Sequence, residues 1–317
     1  MRRLLGVAVV GFALNFIAAS RFASQAWVNQ PLSITSTLAE QQLLYAQTLK
    51  KQIPEIQEDE RFQPIIQYAT EQKLYQRPMG EIMQAIAEQF LGTAYKANLL
   101  DQSKQETLVV TLKQLDCVLF VETVLAIARG VAVQDNSYHT FVNHIRNQRY
   151  RHGEMNGYCS RLHYFSEWII DNEKRGAVKN IGHDLKGVPL NKRLNFMSTH
   201  RQSHPRLSDQ ATYKCFVETE AKLDGVKLDY IPTNEIHRVY AQLQPGDIVA
   251  VATNLPGLDV THTGLIYRHS NGNIGFIHAS PIGKVTIARD LQRYVSRVNN
   301  AIGILVARPT NPQQTTN

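Results

Sequence analysis

The stretch "LDCVLFVETVLAIARG", residues 115–130, decides the fold, because it sets an acid and a thiol at the start of a long apolar run. Aspartate is a preferred residue at the N-cap of a helix, so Asp116 predicts a helix that begins at Cys117. The residues Val118–Ala128 are nearly all apolar, which indicates a buried helix, and Gly130 predicts its end. The first helical turn favours a thiolate, which makes the cysteine a candidate nucleophile. The alternative is a small buried core residue, as most cysteines are.

Short strands separated by turn residues fill the C-terminal quarter of the chain. The segments with this pattern are GDIVAVAT (246–253), THTGLIYRH (261–269), NIGFIHAS (273–280), KVTIAR (284–289) and AIGILVAR (301–308). They predict an antiparallel meander. Upstream of the nucleophile, Leu108 to Leu112 is a further β-like run. His262 and His278 fall on consecutive strands of one hairpin, and His269 lies beside its turn.

The length of the hairpin loop decides whether the two strand histidines share a face. A two-residue turn at Asn271-Gly272 would put His262 and His278 on opposite faces, because successive side chains alternate. A three-residue loop, with Gly272 in the left-handed conformation, would make the two histidines diagonal neighbours on one face. If the two histidines act together, the loop has an odd length or the hairpin contains a bulge, and both rings lie on the Cys117 side of the sheet.

Residues 1–20 have the pattern of an export signal, with a basic start, an apolar run from Leu4 to Ala19 and small residues at the end. We expect cleavage between residues 20 and 26 and a periplasmic or secreted mature protein. The alternative is an uncleaved membrane anchor, although the run is shorter than the roughly 20 residues needed to span a bilayer. No cysteine lies near the site, which excludes a lipoprotein. After signal cleavage we expect no stable membrane association.

The composition is that of a folded protein with a mildly basic surface. Of the 317 residues, 43% are hydrophobic and 19% charged, and the formal net charge is +7. Removal of the signal, with its two arginines, leaves a basic chain that suits an acidic partner. Basic residues gather at 146–154 and 191–206, without the interleaved aromatic residues typical of nucleic-acid binding. We expect no nucleic acid; these segments are solvated loops or a groove for an anionic polymer.

The three cysteines, Cys117, Cys159 and Cys215, are an odd number for an exported chain. At least one thiol is therefore unpaired unless it bonds another chain. Of the three possible pairings we favour Cys159 with Cys215, or no disulfide, and either choice leaves Cys117 free.

Several motifs, in this order, resemble a known family. "LDCVLFVE", "THTGLIY" and "FIHAS" look like the signatures of the NlpC/P60 cysteine peptidases and amidases of bacterial cell walls. "SRLHYFSEWIIDN" (160–172) and "FMSTH" (196–200) make the chain more similar to the DUF1460 branch, described as N-acetylmuramoyl-L-alanine amidase-like. The resemblance runs from about residue 82 to 308. Leu119 departs from the threonine of the branch, which puts one local hydrogen bond in doubt.

The resemblance implies a role for each site residue. Cys117 is the nucleophile, His262 the general base and His278 the group that orients the base. The backbone N–H of the nucleophile is the expected oxyanion donor, and Tyr95 lines the site. The helix start and the nearby base predict a thiol pKa below the reference value of about 8.5.

The segment that contains Arg161, His163 and Tyr164 suggests a polar rim over an apolar helix. We assign Arg161 to the carboxylates of a stem peptide, because arginine suits bidentate carboxylate recognition, and Tyr164 to the same substrate-binding rim. His200 and His204 have the spacing of metal ligands on a helix, but Pro205 and the lack of a third ligand argue against a zinc site. We expect no metal and no other cofactor.

The predicted fold class is α+β, with the papain-like NlpC/P60 core of a nucleophile helix packed on a C-terminal antiparallel sheet. A single catalytic domain covers residues 31–308, with helical additions at 31–91 and a mostly helical and irregular insertion at 131–240 that shapes the substrate groove. Residues 309–317 form a disordered tail.

The predicted function is cleavage of the amide between N-acetylmuramic acid and L-alanine in peptidoglycan or muropeptides. One alternative is an endopeptidase that cuts after γ-D-glutamate. The other is a non-catalytic binder of cell-wall fragments, which would have no need of a complete Cys117, His262 and His278 set.

Overall fold

An antiparallel sheet of eight strands is the centre of the fold in the computed structural model, which describes residues 57–225 and 227–314. Beside it, two short strands pair in parallel. The strands of the described chain are β1 (Ala94–Tyr95), β2 (Gln114–Leu115), β3 (Val178–Asn180), β4 (Val188–Pro189), β5 (Asp229–Pro232), β6 (Ile248–Thr253), β7 (Val260–Arg268), β8 (Ile274–Ala279), β9 (Val285–Ala288) and β10 (Ala301–Pro309). The predictions for residues 1–20 and 31–56 lie outside the described residues.

The helices surround this sheet. The α-helices are α1 (Phe62–Glu71), α2 (Met79–Glu88), α3 (Cys117–Ala132), α4 (Tyr138–Arg149), α5 (Phe165–Lys174), α6 (Phe196–Thr199), α7 (Gln210–Leu223) and α8 (Leu291–Val295). Short 3-10 helices lie at Leu74–Gln76, Leu99–Asp101, Arg151–Gly153, Tyr158–Ser160, Arg201–Ser203, Pro205–Ser208, Thr233–Val239 and Pro312–Gln314. Over the described ranges, none of these helices has the length and apolar character needed to cross a bilayer.

The strand order of the large sheet is β4-β5-β10-β6-β7-β8-β9, and β3 also pairs with β10. All five predicted C-terminal strands form, and β6 to β9 make a meander, but β10 pairs with β6 instead of continuing the meander from β9. The segment 131–240 is mostly helical and irregular, and it also contains three short strands. Strands β3, β4 and β5 come from this segment and extend the sheet on its β10 side. The segment is therefore part of the sheet as well as a cover over it.

The two faces of the sheet pack against different elements. One face carries a cluster of buried apolar side chains from β6, β7, β8 and β10, together with residues of the 3-10 helix at Thr233–Val239 and of α8. Each fully buried side chain of this size contributes roughly 1.5–3 kcal/mol. The nucleophile helix α3 contributes no residue to the described cluster and contacts β7 and β8, so it packs on the opposite face.

The helix α3 is buried almost all round, as its apolar run predicts. It ends at Ala132 rather than at Gly130. The glycine is needed for a close approach instead, because a Cβ at this position would lie 2.8 Å from the carbonyl oxygen of Asp135. Gln134, with φ of 58°, makes the left-handed turn after the helix.

The predicted strand at Leu108–Leu112 does not form; the strand before the nucleophile is β2. Side chains from other parts of the chain form hydrogen bonds with the backbone of this segment. Asp59 accepts from the amide of Leu112 at 2.9 Å, and Arg149 donates to the carbonyl of Val109 at 2.5 Å. The β-like composition therefore describes an extended segment held by charged side chains rather than by a neighbouring strand.

Two predicted boundaries differ from the structure. The helical additions were predicted to reach residue 91, but helix α2 ends at Glu88, and Leu91 is 45% exposed. Gly92 follows in the left-handed conformation with φ of 84°. At the other end, the predicted disordered tail begins with ordered residues, because Pro309 belongs to β10 and the amide of Thr310 donates to the carbonyl of Ala177. Residues 315–317 lie outside the described part.

Candidate active site

Cys117 is the first residue of α3, and Asp116 caps the helix as predicted. Oδ1 of Asp116 accepts a hydrogen bond from the amide of Leu119 at 2.8 Å. The departure at Leu119 therefore leaves the cap intact, and its own side chain is buried. In the described chain the amide of Cys117 donates to no other residue, so it is open to receive an oxyanion.

The surroundings of the thiol oppose its ionisation. Burial, followed by the charge of Asp116, raises the pKa of Cys117 to about 11, although hydrogen bonds to the amide and hydroxyl of Thr263 act in the other direction. The expectation of a thiol pKa below about 8.5 is therefore wrong for the free protein. At this site desolvation raises the thiol pKa by more than the helix start lowers it.

The hairpin β7–β8 brings the two strand histidines together. Leu265 lies opposite Ile277, and the loop between the strands has three residues, with Gly272 at φ of 84°. The prediction of an odd-length loop is confirmed. Nε2 of His262 and Nδ1 of His278 are 2.8 Å apart, and both residues are buried.

Burial lowers the pKa of His262 to about 3 and that of His278 to about 4. Both rings are therefore neutral near pH 7. The 2.8 Å contact needs one donor and one acceptor, and the tautomer suited to a base is the one in which His262 carries its proton on Nε2 and donates to Nδ1 of His278. This tautomer leaves Nδ1 of His262 free to accept a proton.

The rings lie on the face of the sheet opposite to α3. Val251 belongs to the apolar cluster and pairs with His262, so the ring shares the face of that cluster. Cys117 contacts Thr263, the neighbour of His262 in β7, and its charge also acts on Tyr294, whose ring packs on both imidazoles. The expectation that both rings lie on the Cys117 side of the sheet stays a prediction.

Tyr294, in α8, is a site residue that sequence reasoning missed. Its ring centroid lies 4.6 Å from that of His278 and 6.0 Å from that of His262. Burial and then the thiolate of Cys117 raise its pKa to about 12, so the phenol stays protonated. No motif marks this tyrosine, because it reaches the site from a five-residue helix between β9 and β10.

Tyr95, in β1, lies beside the thiol as the sequence suggests. Strand β1 pairs with β2, and Tyr95 is the partner of Leu115, two residues before Cys117. Burial is the first cause and the thiolate the second of a raised pKa at Tyr95. A neutral phenol at this position is a hydrogen-bond donor at the mouth of the site.

Arg161 does not serve as the predicted carboxylate receptor. Its residue is 5% exposed, and its guanidinium donates to Asp101 at 2.5 Å and to the carbonyl of Leu100 at 2.9 Å. Glu106 lies 3.7 Å away. These acceptors occupy the guanidinium inside the protein, so no donor pair remains for a stem-peptide carboxylate.

Tyr164 is also a structural residue rather than part of a substrate rim. It is 2% exposed, its hydroxyl donates to Glu220 at 2.7 Å, and the same oxygen accepts from the amide of Met197 at 3.0 Å. Neighbouring His163 packs its ring against Tyr158. The polar residues of this segment therefore hold α7 against the chain before α5.

Several basic residues of the two segments form ion pairs inside the protein. Arg149 and Glu122 form a buried ion pair at 2.7 Å, with side chains 2% and 1% exposed. Arg151 pairs with Glu167 at 2.6 Å. In the second segment Arg206 pairs with Glu106 at 3.2 Å. Internal acceptors thus take up much of the basic character of these segments.

Two further expectations concern cysteines and metals. Cys159 and Cys215 form a disulfide, as favoured, and Cys117 is free and partly exposed. His200 stacks on Phe196 with ring centroids 4.0 Å apart. Within 57–225 and 227–314, no three His, Cys, Asp or Glu side chains gather as metal ligands.

The fold and the site define a mixed α and β protein with a free thiol at a helix start and two buried imidazoles in contact with each other. The chain belongs to the AmiA-like family, described as N-acetylmuramoyl-L-alanine amidase-like, which it matches over residues 85–304. No curated protein matches the chain.

Solved structures share this fold. An N-acetylmuramoyl-L-alanine amidase from Bacteroides uniformis is 28% identical, with a TM-score of 0.69, covering 73% of this chain and 99% of that one. A Bacteroides fragilis protein, provisionally named a xylanase, is 30% identical, with a TM-score of 0.63 and coverage of 70% and 98%. A Legionella pneumophila protein of the DUF1460 family, 22% identical, covers 78% and 94% with a TM-score of 0.58 and shows the fold alone.

Proposed function

We propose that the protein is an exported cysteine amidase that cleaves the amide between N-acetylmuramic acid and L-alanine in peptidoglycan or its fragments. We place its catalytic core in the NlpC/P60 superfamily, with Cys117 as nucleophile, His262 as base and His278 as the group that orients the base. The AmiA-like family and the structural similarity to an amidase of this name support the cell-wall substrate.

The observation that carries the proposal is the buried pair of His262 and His278, joined at 2.8 Å, together with a free thiol at a helix start whose charge acts on Tyr294, the ring that packs on both imidazoles. A core would gain nothing from two neutral imidazoles in contact, since each desolvated ring costs free energy. A base held in one tautomer by a second ring is the arrangement that proton transfer from a thiol requires.

In the first half of the reaction, the Cys117 sulfur attacks the lactyl carbonyl carbon as its proton passes to Nδ1 of His262. The raised thiol pKa means that proton transfer accompanies the attack, rather than preceding it. The amide N–H of Cys117 and the phenol of Tyr95 stabilise the oxyanion. The C–N bond then breaks, the amine of L-alanine takes the proton from His262, and a thioester remains.

In the second half, water attacks the thioester carbonyl and gives a proton to His262. The C–S bond breaks, the proton on His262 returns to the sulfur, and muramic acid leaves as its carboxylic acid, which then releases the second proton of the water to solvent. Throughout, His278 accepts the hydrogen bond from Nε2 of His262 and so stabilises the imidazolium that forms twice in each cycle.

Export is part of the proposal. The disulfide of Cys159 and Cys215 is supporting evidence, because such bonds persist in oxidising compartments such as the periplasm. The signal-like residues 1–20 provide the route, and peptidoglycan lies on the same side of the membrane.

Mass analysis of defined muropeptides, incubated with the wild-type protein and with Cys117→Ala, tests the proposal. We expect a free stem peptide that begins with L-alanine from the wild type alone. A muramoyl dipeptide product would instead identify the endopeptidase that cuts after γ-D-glutamate.

Binding measured on the same samples separates the third possibility. If both proteins leave every substrate intact and bind it equally, the chain is a non-catalytic binder and the proposal fails. His278→Gln should retain partial activity, because an amide can still accept the hydrogen bond from His262, whereas His278→Leu should lose it.

A further inference from the structure

A pocket of about 350 Å³ lies at the end of the sheet that carries the candidate active site. Residues 189–192, at and after the end of β4, form one wall. The other walls are Tyr230 of β5, Ile302 of β10 and residues 253–254 at the end of β6. None of the candidate catalytic residues lines the pocket, and no acidic residue does. The pocket is therefore separate from the site described above.

The strand register places this pocket near the two histidines. Val251 in β6 pairs with His262 in β7, and Thr253 lies two residues further along β6. Two residues of a strand rise about 7 Å and neighbouring strands lie about 5 Å apart, so roughly 9 Å separates the backbones of Thr253 and His262. Two or three extended peptide residues span about 7–11 Å. A short peptide held at the site is therefore long enough to enter the pocket.

Lys192 is the cation of the pocket. Its Nζ donates to the carbonyl of Thr253 at 2.6 Å, and an ammonium has three donors, so two remain for a ligand. Within residues 57–225 and 227–314 the side chain forms no ion pair. Burial lowers the pKa of Lys192, and the charge of Asp259 offsets only part of that effect. A carboxylate bound at this ammonium supplies the counter-charge that the protein does not.

Asp259 cannot take that place, because other groups hold it inside the protein. Its residue is 1% exposed, and its carboxylate accepts from the amide and the hydroxyl of Ser166 at 2.7 and 2.6 Å. The amide of Val260 donates to the other oxygen at 2.8 Å. The carboxylate therefore has its hydrogen bonds already, and the charge of Lys192 stays open to a ligand.

The rest of the lining suits an amino acid that carries a carboxylate. The amides of Asn191 and Asn254 are exposed, and neither they nor the phenol of Tyr230 form a side-chain hydrogen bond to another described residue. A carboxylate accepts up to about four hydrogen bonds, so these donors can share it with Lys192. Pro189, Leu190 and Ile302 add an apolar surface for methylene groups.

We propose that this pocket is a subsite for the stem peptide, in which Lys192 receives a carboxylate of the second or third residue after the muramoyl unit. This inference rests on the proposed function. The second residue, a γ-linked D-glutamate, keeps its α-carboxylate, and the third residue of a tripeptide stem ends in one. The subsite supplies the cation that Arg161, occupied by Asp101, does not.

The first measurement is calorimetric binding of a muramoyl tripeptide, with a stem of L-alanine, γ-D-glutamate and L-lysine, to full-length protein that carries Cys117→Ala. Two further ligands have a carboxamide in place of the glutamate α-carboxylate or of the C-terminal carboxylate. We expect one of the two amidated ligands to bind at least tenfold more weakly than the parent. Adding Lys192→Met should remove this difference.

Arg193→Met is the matched control, because it removes an exposed cation next to Lys192 that does not line the pocket. It should keep the preference for the carboxylate, as should Lys192→Arg, which retains the charge. An equal loss of preference in Arg193→Met would assign the effect to net charge and overturn the subsite. The comparison of the three ligands on the protein with native Lys192 does not depend on the folding of any Lys192 variant.

The second measurement is kcat/KM of the catalytic proteins on the same three compounds. We expect the amidation that weakens binding to lower the wild-type value about tenfold, and Lys192→Met to cleave all three at the lower rate. Equal binding and equal cleavage of the three compounds by the wild type would overturn the subsite and leave the amidase intact. Carboxylate-dependent binding that Lys192→Met loses, without cleavage of any compound, would support the subsite and refute the proposed function.

Discussion

At the scale of single residues, desolvation decides the chemistry of the site. The thiol, the two imidazoles and both neighbouring tyrosines all have a pKa shifted toward their neutral form, with burial as the first cause. The resting site therefore holds a neutral thiol and neutral rings. Charged groups form in the site only during the reaction, when the substrate carbonyl oxygen becomes an oxyanion.

The first prediction concerns the ionisation of Cys117. The rate of alkylation by iodoacetamide should rise with pH without levelling off below pH 9, because burial and Asp116 raise the thiol pKa to about 11. Asp116→Asn retains a helix cap but removes the charge, so its profile should move to lower pH. A wild-type inflection at or below pH 8.5 would contradict this account of the site.

The second prediction concerns acid pH. A histidine with a depressed pKa remains an active base as pH falls through 6.5, so kcat/KM should hold level there and decline only as pH approaches 4 and then 3. The same depressed values contribute stability that is present above pH 6.5 and lost as pH falls toward 3. Circular dichroism at each pH separates the two effects. An activity midpoint near 6.5 in folded protein would refute the assignment.

The third prediction tests Tyr294. Tyr294→Ala removes the ring that packs on His278 and His262, and kcat/KM should fall more than tenfold. Tyr294→Phe keeps that packing and should lose less than threefold. Equal losses in both variants, with unchanged thermal stability, would show that the hydroxyl matters and the ring does not.

At the scale of elements, the loop of the β7–β8 hairpin determines which side chains of the two strands meet. The three-residue loop sets the register, and the register puts His262 and His278 on one face. Gly264, between them on this face, leaves room for Phe276, whose ring stacks on that of His278 at 4.9 Å.

The fourth prediction follows from this packing. Gly264→Ala would place a Cβ 2.6 Å from the ring of Phe276 and 2.7 Å from the carbonyl oxygen of Ile277, and backbone cannot yield as a side chain can. We expect a loss of about 1–3 kcal/mol of unfolding free energy and at least tenfold lower kcat/KM.

The matched control is Gly272→Ala in the loop, where a Cβ meets no atom but the φ of 84° is strained. It should cost about 1 kcal/mol and leave kcat/KM unchanged. The interpretation fails if Gly264→Ala is as active as Gly272→Ala, since Phe276 would then have no part in positioning the rings.

At the scale of the whole molecule, the segment 131–240 is integrated with the catalytic core. It adds strands to the sheet and pairs Arg149 with Glu122 of the nucleophile helix. The disulfide closes the part of this segment between Cys159 and Cys215.

The fifth prediction measures that cross-link. The two cysteines are 56 residues apart, and loop-closure entropy for this length corresponds to about 4 kcal/mol. Urea unfolding of a Cys159→Ser, Cys215→Ser double variant should show a loss of this order. Cys117→Ser should unfold as the wild type does, and an equal loss in this control would assign the effect to general destabilisation.

Local patterns in the sequence determined a large part of this fold. The aspartate cap, the apolar run of α3 and the alternation and turn residues of the C-terminal strands are short-range features, and each predicts its element from neighbouring residues. The odd hairpin loop followed from counting, together with the family resemblance by which His278 orients His262. The pairing of the histidines was therefore predictable, as was the free Cys117.

The tertiary structure decided everything that depends on partners distant in the chain. Arg161 and Tyr164 have suitable chemistry for a substrate, but Asp101 and Glu220 occupy them. Tyr294 reaches the site although no local signal marks it. The pKa of Cys117 is raised, and not lowered as the sequence predicts, for the same reason. The helix start is a local feature, whereas desolvation depends on all the elements packed around the sulfur.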